Sequence, residues 1–372
     1  MESFVVSARK YRPLGFDEVV GQEHITTTLK NAIDNNHLAQ ALLFCGPRGV
    51  GKTTCARILA RMVNGFKAES GDSTSNFNIY ELDAASNNSV EDIRNLIDQV
   101  RYPPQVGNFK VYIIDEVHML SNQAFNAFLK TLEEPPSYAI FILATTEKHK
   151  VIPTILSRCQ IYDFNRIEIS DIVQQLQKIA DSENIDAEED ALHLIAQKAD
   201  GALRDALSIF DLIVTFSSDG KITYQNTIDN LHILDYTYYF KLADHFLDEN
   251  LAGTLLLFDE ILSKGFDAHN FLVGLEEHFR NLLVCKDEET LKLLQVSENV
   301  KQKYKEQAQR FSPSFLLSGL NLLNQCDLNF KTSKNQRLHV ELCLMKLSQL
   351  NNAINLADVN AGSDEGAKKK VA

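Results

Sequence analysis

No stretch of this chain approaches the roughly 20 consecutive apolar residues needed to cross a bilayer. Its opening segment, Met1 to Lys10, lacks the apolar core of a secretory signal. Membrane anchorage and export are therefore not indicated, and a cytoplasmic protein is expected. Cysteine is sparse and unpaired in spacing. The six residues Cys45, Cys55, Cys159, Cys285, Cys326 and Cys343 form no Cys-x-x-Cys pair. That excludes a disulfide framework and a cysteine zinc site, and leaves reduced, mostly buried thiols. Positive charge is also in deficit: 37 Lys and Arg stand against 50 Asp and Glu, a net charge of −13. A chain this acidic does not bind nucleic acid by bulk electrostatics, so any such contact needs a local cluster or a partner.

What is present describes a globular protein of more than one domain. The 372 residues are 44% hydrophobic and 23% charged, enough for two or three cores. The first part alternates short apolar runs with helical patterns, the signature of a parallel sheet. Strands are read at Ala41–Cys45, Ile79–Asp83, Val111–Asp115, Ile140–Thr145 and Gln160–Phe164, with helical patterns at Val50–Asn64, Val90–Val100 and Gln123–Glu133. The third and fourth strands are almost continuously apolar, as strands covered on both faces are. After Arg166 the apolar spacing becomes helical and no convincing strand follows. The reading divides the chain at 1–166, 167–227 and 228–356, with a small, polar and charged tail at 357–372 expected to be disordered. A polar, Gly/Ser-rich loop is expected at Asn64–Asn78.

Gly46-Pro-Arg-Gly-Val-Gly-Lys52-Thr53 fits the phosphate-loop pattern, follows a strand and opens a helix, which is the context that motif requires. Its glycines let backbone N–H groups converge on phosphates at a helix N-terminus. Lys52 would reach the β- and γ-phosphates, and Thr53 would offer a hydroxyl to Mg²⁺. Asp115 and Glu116 end a buried strand, where the first acid can hold Mg²⁺ and the second can polarise an attacking water. Two carboxylates there can also be merely solvated or cap a helix. Thr145 and Thr146 end the fourth strand, either holding the lytic water or capping. Arg158 and Arg204 lie outside the sheet; each reaches a γ-phosphate or sits in a surface ion pair. His118 reads as an ordinary loop histidine sooner than as a coupling residue. Asn88 with Glu91 resembles a capping box whose helix, containing Arg94, either faces a phosphate or is simply capped. An apolar contact surface is sought near Met119, Leu120 or Phe125, although Phe125, Phe128 and Leu129 suit core packing better.

One ordered set of segments carries a family resemblance. Ala8-Arg-Lys-Tyr-Arg-Pro13, Phe16-Asp-Glu-Val-Val-Gly-Gln22, the phosphate loop and Glu81-Leu-Asp-Ala-Ala-Ser86 are followed by Asp115-Glu-Val-His-Met119. Then come Lys130-Thr-Leu-Glu-Glu-Pro-Pro136, Ala144-Thr-Thr146 and Ser157-Arg-Cys159. Over about residues 8–350 the chain resembles the gamma/tau subunits of bacterial DNA polymerase III clamp loaders, within the AAA+ ATPases. The resemblance implies a RecA-like α/β P-loop domain with a parallel sheet, a three-helix lid and an all-α collar that joins subunits into a pentameric ring. It implies an adenine pocket from Tyr11, Arg12, Pro13, Val19 and Val20, with Gly46, Pro47, Arg48, Gly49, Val50 and Gly51 around the phosphates. Lys52, Thr53 and Thr54 would bind phosphate and Mg²⁺, Asp115 would bind Mg²⁺, and Glu116 would activate water. Thr146 and Arg204 would be the two sensors, and Arg158 the finger inserted into a neighbour's site.

By the same resemblance the substrate is ATP with Mg²⁺. The partners would be other clamp-loader subunits in a hetero-pentameric, partly self-associated ring, the sliding clamp and primer–template DNA. Within that holoenzyme the chain would be grouped with DNA-directed DNA polymerases. Two departures stand out. The family usually carries four zinc-module cysteines where Asn64–Asn78 has none, so no zinc is expected. The chain also stops soon after the collar-like region, as a short gamma form or a truncation would. Two rival readings are an ATP-gated scaffold with little hydrolysis, which would be expected to lack Lys52 or Glu116, and a DNA-translocating AAA+ motor. The latter would favour a strand-containing winged-helix end, whereas the C-terminal part here reads all-helical.

Overall fold

The computed structural model describes residues 5–66, 78–105, 107–217, 220–231, 234–294, 296 and 298–352. The expected tail at 357–372 and residues 67–77 of the expected polar loop lie outside these. The chain forms two compact units, one ending at Thr223 and the other starting at Tyr224.

The first unit opens with the short helix α1 (Ser7–Lys10) and the helix α2 (Glu23–Asp34). A five-stranded, all-parallel sheet follows: β1 (Ala41–Cys45), β2 (Ile79–Asp83), β3 (Lys110–Asp115), β4 (Ala139–Thr145) and β5 (Gln160–Asp163). Their order across the sheet is β2-β3-β4-β1-β5. Every residue of β1 and β4 is buried. These are interior strands, and their alternate side chains feed two cores. Leu43, Tyr112, Phe141 and Leu143 face one, which is closed by α4 (Val90–Val100), α5 (Asn122–Glu133) and α6 (Pro153–Leu156). Leu42, Phe44, Ile113 and Ile142 face the other, closed by α2 and α3 (Lys52–Val63). The outermost strands β2 and β5 are only partly buried. Sequence alternation thus sets which face each side chain takes, and position in the sheet sets whether both faces are covered.

The expected strands all form, with ends displaced by a residue at most. Two corrections concern the caps and the late strands. The capping box belongs to Ser89 and Asp92: the Ser89 hydroxyl accepts the Asp92 N–H at 3.2 Å, and the Asp92 carboxylate accepts the Ser89 N–H at 3.2 Å. Asn88 with Glu91 stands one residue too early. The α4 N-terminus already carries the Glu91 and Asp92 carboxylates in its first turn. After Arg166, two short strands do occur, β6 (Asp186–Ala187) and β7 (Lys221–Ile222), paired in parallel. A pair this short leaves no alternation to read. Phe125 and Phe128 are core residues and Leu120 is buried, while Met119 is 47% exposed.

Helices α7 (Ile169–Glu183), α8 (Glu189–Lys198) and α9 (Leu203–Phe216) complete the first unit. The Ser7 N–H donates to Asp211 of α9 at 2.7 Å, and Lys10 pairs with Glu183 at the end of α7. The N-terminal segment is therefore tied to these helices.

The second unit is helical throughout its described residues: α10 (Tyr224–Leu231), α11 (Tyr236–Leu247), α12 (Leu251–Ser263), α13 (Ala268–Val284), α14 (Glu298–Arg310), α15 (Pro313–Phe330) and α16 (Gln336–Ser348). Its core gathers on α13, whose Phe271, Leu275, Phe279 and Leu282 are buried. Among the described residues no helix is long and apolar enough to cross a membrane.

Candidate functional site

Parallel strands bring their carboxyl ends to one edge, where ligands of open α/β sheets sit. Cys45 pairs in register with Thr145, and Asp83 with Asp115. The loop leaving β1, the acids leaving β3 and the threonines leaving β4 therefore converge by topology.

The phosphate-loop backbone is one that side chains would obstruct. Gly46 has φ +143°, and a Cβ there would lie 2.3 Å from the Phe164 carbonyl oxygen. Gly49 has φ +78°, and its Cβ would stand 2.9 Å from that of Ala202, ahead of α9. The Arg204 N–H donates to the Gly49 carbonyl at 3.3 Å, so α9 starts against the loop. No side chain caps α3 at Gly51, which leaves its first-turn amides to an anion.

Lys52 is buried and donates to the carbonyls of Gly46 at 2.7 Å and Pro47 at 2.6 Å. Burial lowers its pKa, against the opposing pull of the Glu116 and Asp115 carboxylates. A buried ammonium resting on neutral carbonyls is suited to an incoming polyanion. Thr53 donates its hydroxyl to Asp115 at 2.7 Å. This hydroxyl–carboxylate pair is a hard oxygen donor set that fits Mg²⁺.

Glu116 adopts the left-handed conformation (φ 49°, ψ 45°), uncommon for a residue with a side chain. Its Oε2 accepts the Thr146 hydroxyl at 2.9 Å and the Thr146 N–H at 3.2 Å. The water-activating acid and the first sensor of the sequence reading are thus directly bonded. His118 is no ordinary loop residue. Its side chain is 6% exposed, with ring nitrogens 3.0 Å from the Thr145 hydroxyl and 3.1 Å from Glu147.

Most of the expected nucleotide residues line a single cleft. Tyr11, Arg12, Pro13, Val19 and Val20 form one wall, and Arg48 through Thr54 the floor, with Asp115, Glu116 and Arg204 facing it. Ala8, Ile167, Leu203 and Leu207 also line it and were not singled out from sequence. The Tyr11 hydroxyl donates to Glu183 and lies 3.0 Å from Ser182 Oγ, so this wall is fastened to α7. Gly46 and Pro47 contribute the carbonyls that hold Lys52. Arg158 is not in the cleft: it pairs with Glu133 and donates to the Thr154 carbonyl at 2.8 Å.

Three stretches of the chain match described families. Residues 21–168 match "DNA polymerase III, delta subunit", residues 171–219 match "DNA polymerase III clamp loader subunit, ATPase lid domain", and residues 222–358 match "DNA polymerase III subunits gamma and tau domain III". The DNA polymerase III subunit gamma of Buchnera aphidicola subsp. Acyrthosiphon pisum is 34% identical, over 93% of this chain and 99% of its own length. The subunit tau of Bacillus subtilis is 39% identical, over 93% of this chain and 64% of its own. That of Escherichia coli is 42% identical, over 73% of this chain and 44% of its own. The chain thus spans under two thirds of these tau relatives and nearly all of the gamma relative.

Proposed function

Because the chain belongs to the DNA polymerase III gamma and tau family of clamp-loader subunits, we propose that it is an ATP-hydrolysing motor subunit. In this reading its nucleotide cycle helps open a sliding clamp and load it onto primed DNA. The supporting observation is the convergence of Lys52, Thr53, Asp115 and Glu116 on one cleft that Arg204 also faces.

The chemistry follows from what each group is free to do. Lys52 exchanges two carbonyl bonds for phosphate oxygens, a charge-assisted replacement. Thr53 and Asp115 would hold Mg²⁺, which supplies charge stabilisation to the phosphates when bound. Glu116 orients and polarises the attacking water, with Oε1 available to it while Oε2 is held by Thr146. Thr146, bonded to that acid through its hydroxyl and its amide, would sense any shift of the carboxylate. Arg204, at the start of α9, carries the state of the cleft into the helices that Tyr11 and Ser7 also fasten. Arg158 lies outside its own cleft and is assigned to a neighbouring subunit's site, which makes hydrolysis a property of the assembly. The partners in this reading are other clamp-loader subunits in a hetero-pentameric ring, the sliding clamp and primer–template DNA. As part of the polymerase III holoenzyme the chain would be grouped with DNA-directed DNA polymerase activity.

ATP turnover of the reconstituted assembly, with and without clamp and primed DNA, tests this. Strong joint stimulation is expected. Negligible turnover with or without them would favour an ATP-gated scaffold with little hydrolysis, and stimulation by duplex DNA alone would favour a translocase.

A further inference from the structure

His118 occupies a short helical turn, Val117–Met119, directly after β3 and Glu116. Its Nε2 lies 3.1 Å from a Glu147 carboxylate oxygen. This is an ion-pair distance, and the ring's hydrogen bond is the one between Nδ1 and the Thr145 hydroxyl. Nδ1 faces the Thr145 hydroxyl at 3.0 Å and Glu116 Oε2 at 3.4 Å, and a proton on Nδ1 is what makes the approach to the Glu116 carboxylate attractive. Each neighbour is itself held. Thr145 is fully buried and its hydroxyl oxygen also accepts the Glu147 N–H at 3.0 Å. Glu147 accepts from Lys150 at 2.8 Å.

The imidazole therefore stands within ion-pair distance of both the acid assigned to water activation and Glu147, in the segment after β4 that leads through α6 to Ser157 and Arg158. A histidine present only to fill space would not need two carboxylates and a buried hydroxyl around one ring. Glu116 has the complementary need. Its left-handed backbone follows the end of a strand, so its side chain is set by its neighbours: Thr146 through two hydrogen bonds and the His118 ring.

Resting on the ATPase reading, we propose that His118 is a positioning residue for Glu116. Glu147 and Thr145 anchor its ring, and the ring sets the direction from which the Glu116 carboxylate meets water. It does not touch the substrate. Through Glu147 it also links that direction to the segment bearing Arg158, so disturbance of residues 147–150 reaches the reacting end of the site.

The test compares wild type, His118→Ala, His118→Asn, Glu147→Ala and the His118→Ala/Glu147→Ala double variant in the full assembly, with Lys52→Ala as reference. Steady-state ATP turnover, affinity for a fluorescent ATP analogue and thermal unfolding are read for each. The expected result for His118→Ala is a kcat lower by roughly 10-fold or more, with nucleotide affinity and unfolding temperature held. His118→Asn, which places an amide near the Nδ1 position, recovers part of the rate. The double variant is no slower than His118→Ala alone, since the two residues act in series. Unchanged kcat in His118→Ala overturns the proposal, and so does a joint fall of kcat, affinity and unfolding temperature in both His118 variants. If Lys52→Ala hydrolyses ATP at the wild-type rate, the ATPase reading itself falls. If Lys52→Ala is dead while His118→Ala is not, only the role of His118 falls.

Discussion

At the scale of single residues, the cleft is defined by groups whose present partners are exchangeable. Lys52 is held by two backbone carbonyls and Glu116 by a threonine. Lys52→Ala is expected to weaken Mg·ATP binding by roughly 10- to 100-fold, the loss of about 1.5–3 kcal/mol from charge-assisted bonds. Equilibrium titration checks it, and wild-type affinity in that variant would remove the phosphate-loop assignment. The residues that sequence identified here are those whose chemistry requires fixed local spacing, as Gly46 through Thr53 do. Ala8, Ile167, Leu203 and Leu207 line the same cleft but are ordinary apolar residues from separate segments, and only the fold brings them together. The setting of His118 is hidden from sequence for a related reason. Its partners Thr145 and Glu147 come from the next strand's end, so nothing beside it in sequence declares them.

At the scale of elements, strand positions were legible because burial on both faces leaves near-continuous apolar runs such as Ala139–Thr145. The α4 cap was not. Asn88 and Ser89 are both good caps, and each has an acid three residues on, so two overlapping signatures compete. Only the backbone decides for Ser89 and Asp92. The contact between the phosphate loop and the start of α9 is likewise a property of the folded chain. Gly49→Ala would force a side chain onto φ +78° and within 2.9 Å of Ala202. A loss of about 1–3 kcal/mol in stability of the first unit is expected, with weaker nucleotide binding because the loop and α9 move apart. Denaturant unfolding and ATP titration of this variant measure both. Unchanged values would mean that the close approach is not required.

At the scale of the whole molecule, the second unit is built on an aromatic and aliphatic core that encloses one polar network. The Gln307 amide nitrogen donates to the Phe240 carbonyl at 2.8 Å and to Asp244 at 3.0 Å, which turns its oxygen toward His278 Nε2 at 3.0 Å. Nε2 thus carries the proton, and Nδ1 accepts from the Tyr304 hydroxyl at 3.1 Å. Burial depresses the His278 pKa from 6.5 to about 4. Between those values the unfolded chain binds a proton that the folded chain does not, so stability rises with pH across the window. It is therefore present above about pH 6.5 and lost as pH falls toward 4, by an amount on the order of 3 kcal/mol. Hydrogen exchange of the α13 amides at several pH values is expected to show this loss, and His278→Asn to flatten it. A wild-type profile that is flat over the same range would contradict the assignment.

In the proposed reaction bound ATP is cleaved by water that Glu116 activates. Single-turnover hydrolysis of ATP prebound to the assembly, with and without Glu116→Gln, addresses it directly. The expected result is binding as tight as wild type with cleavage slowed by about 100-fold or more, the upper part of the range for a lost general base. Cleavage at the wild-type rate in Glu116→Gln would contradict it.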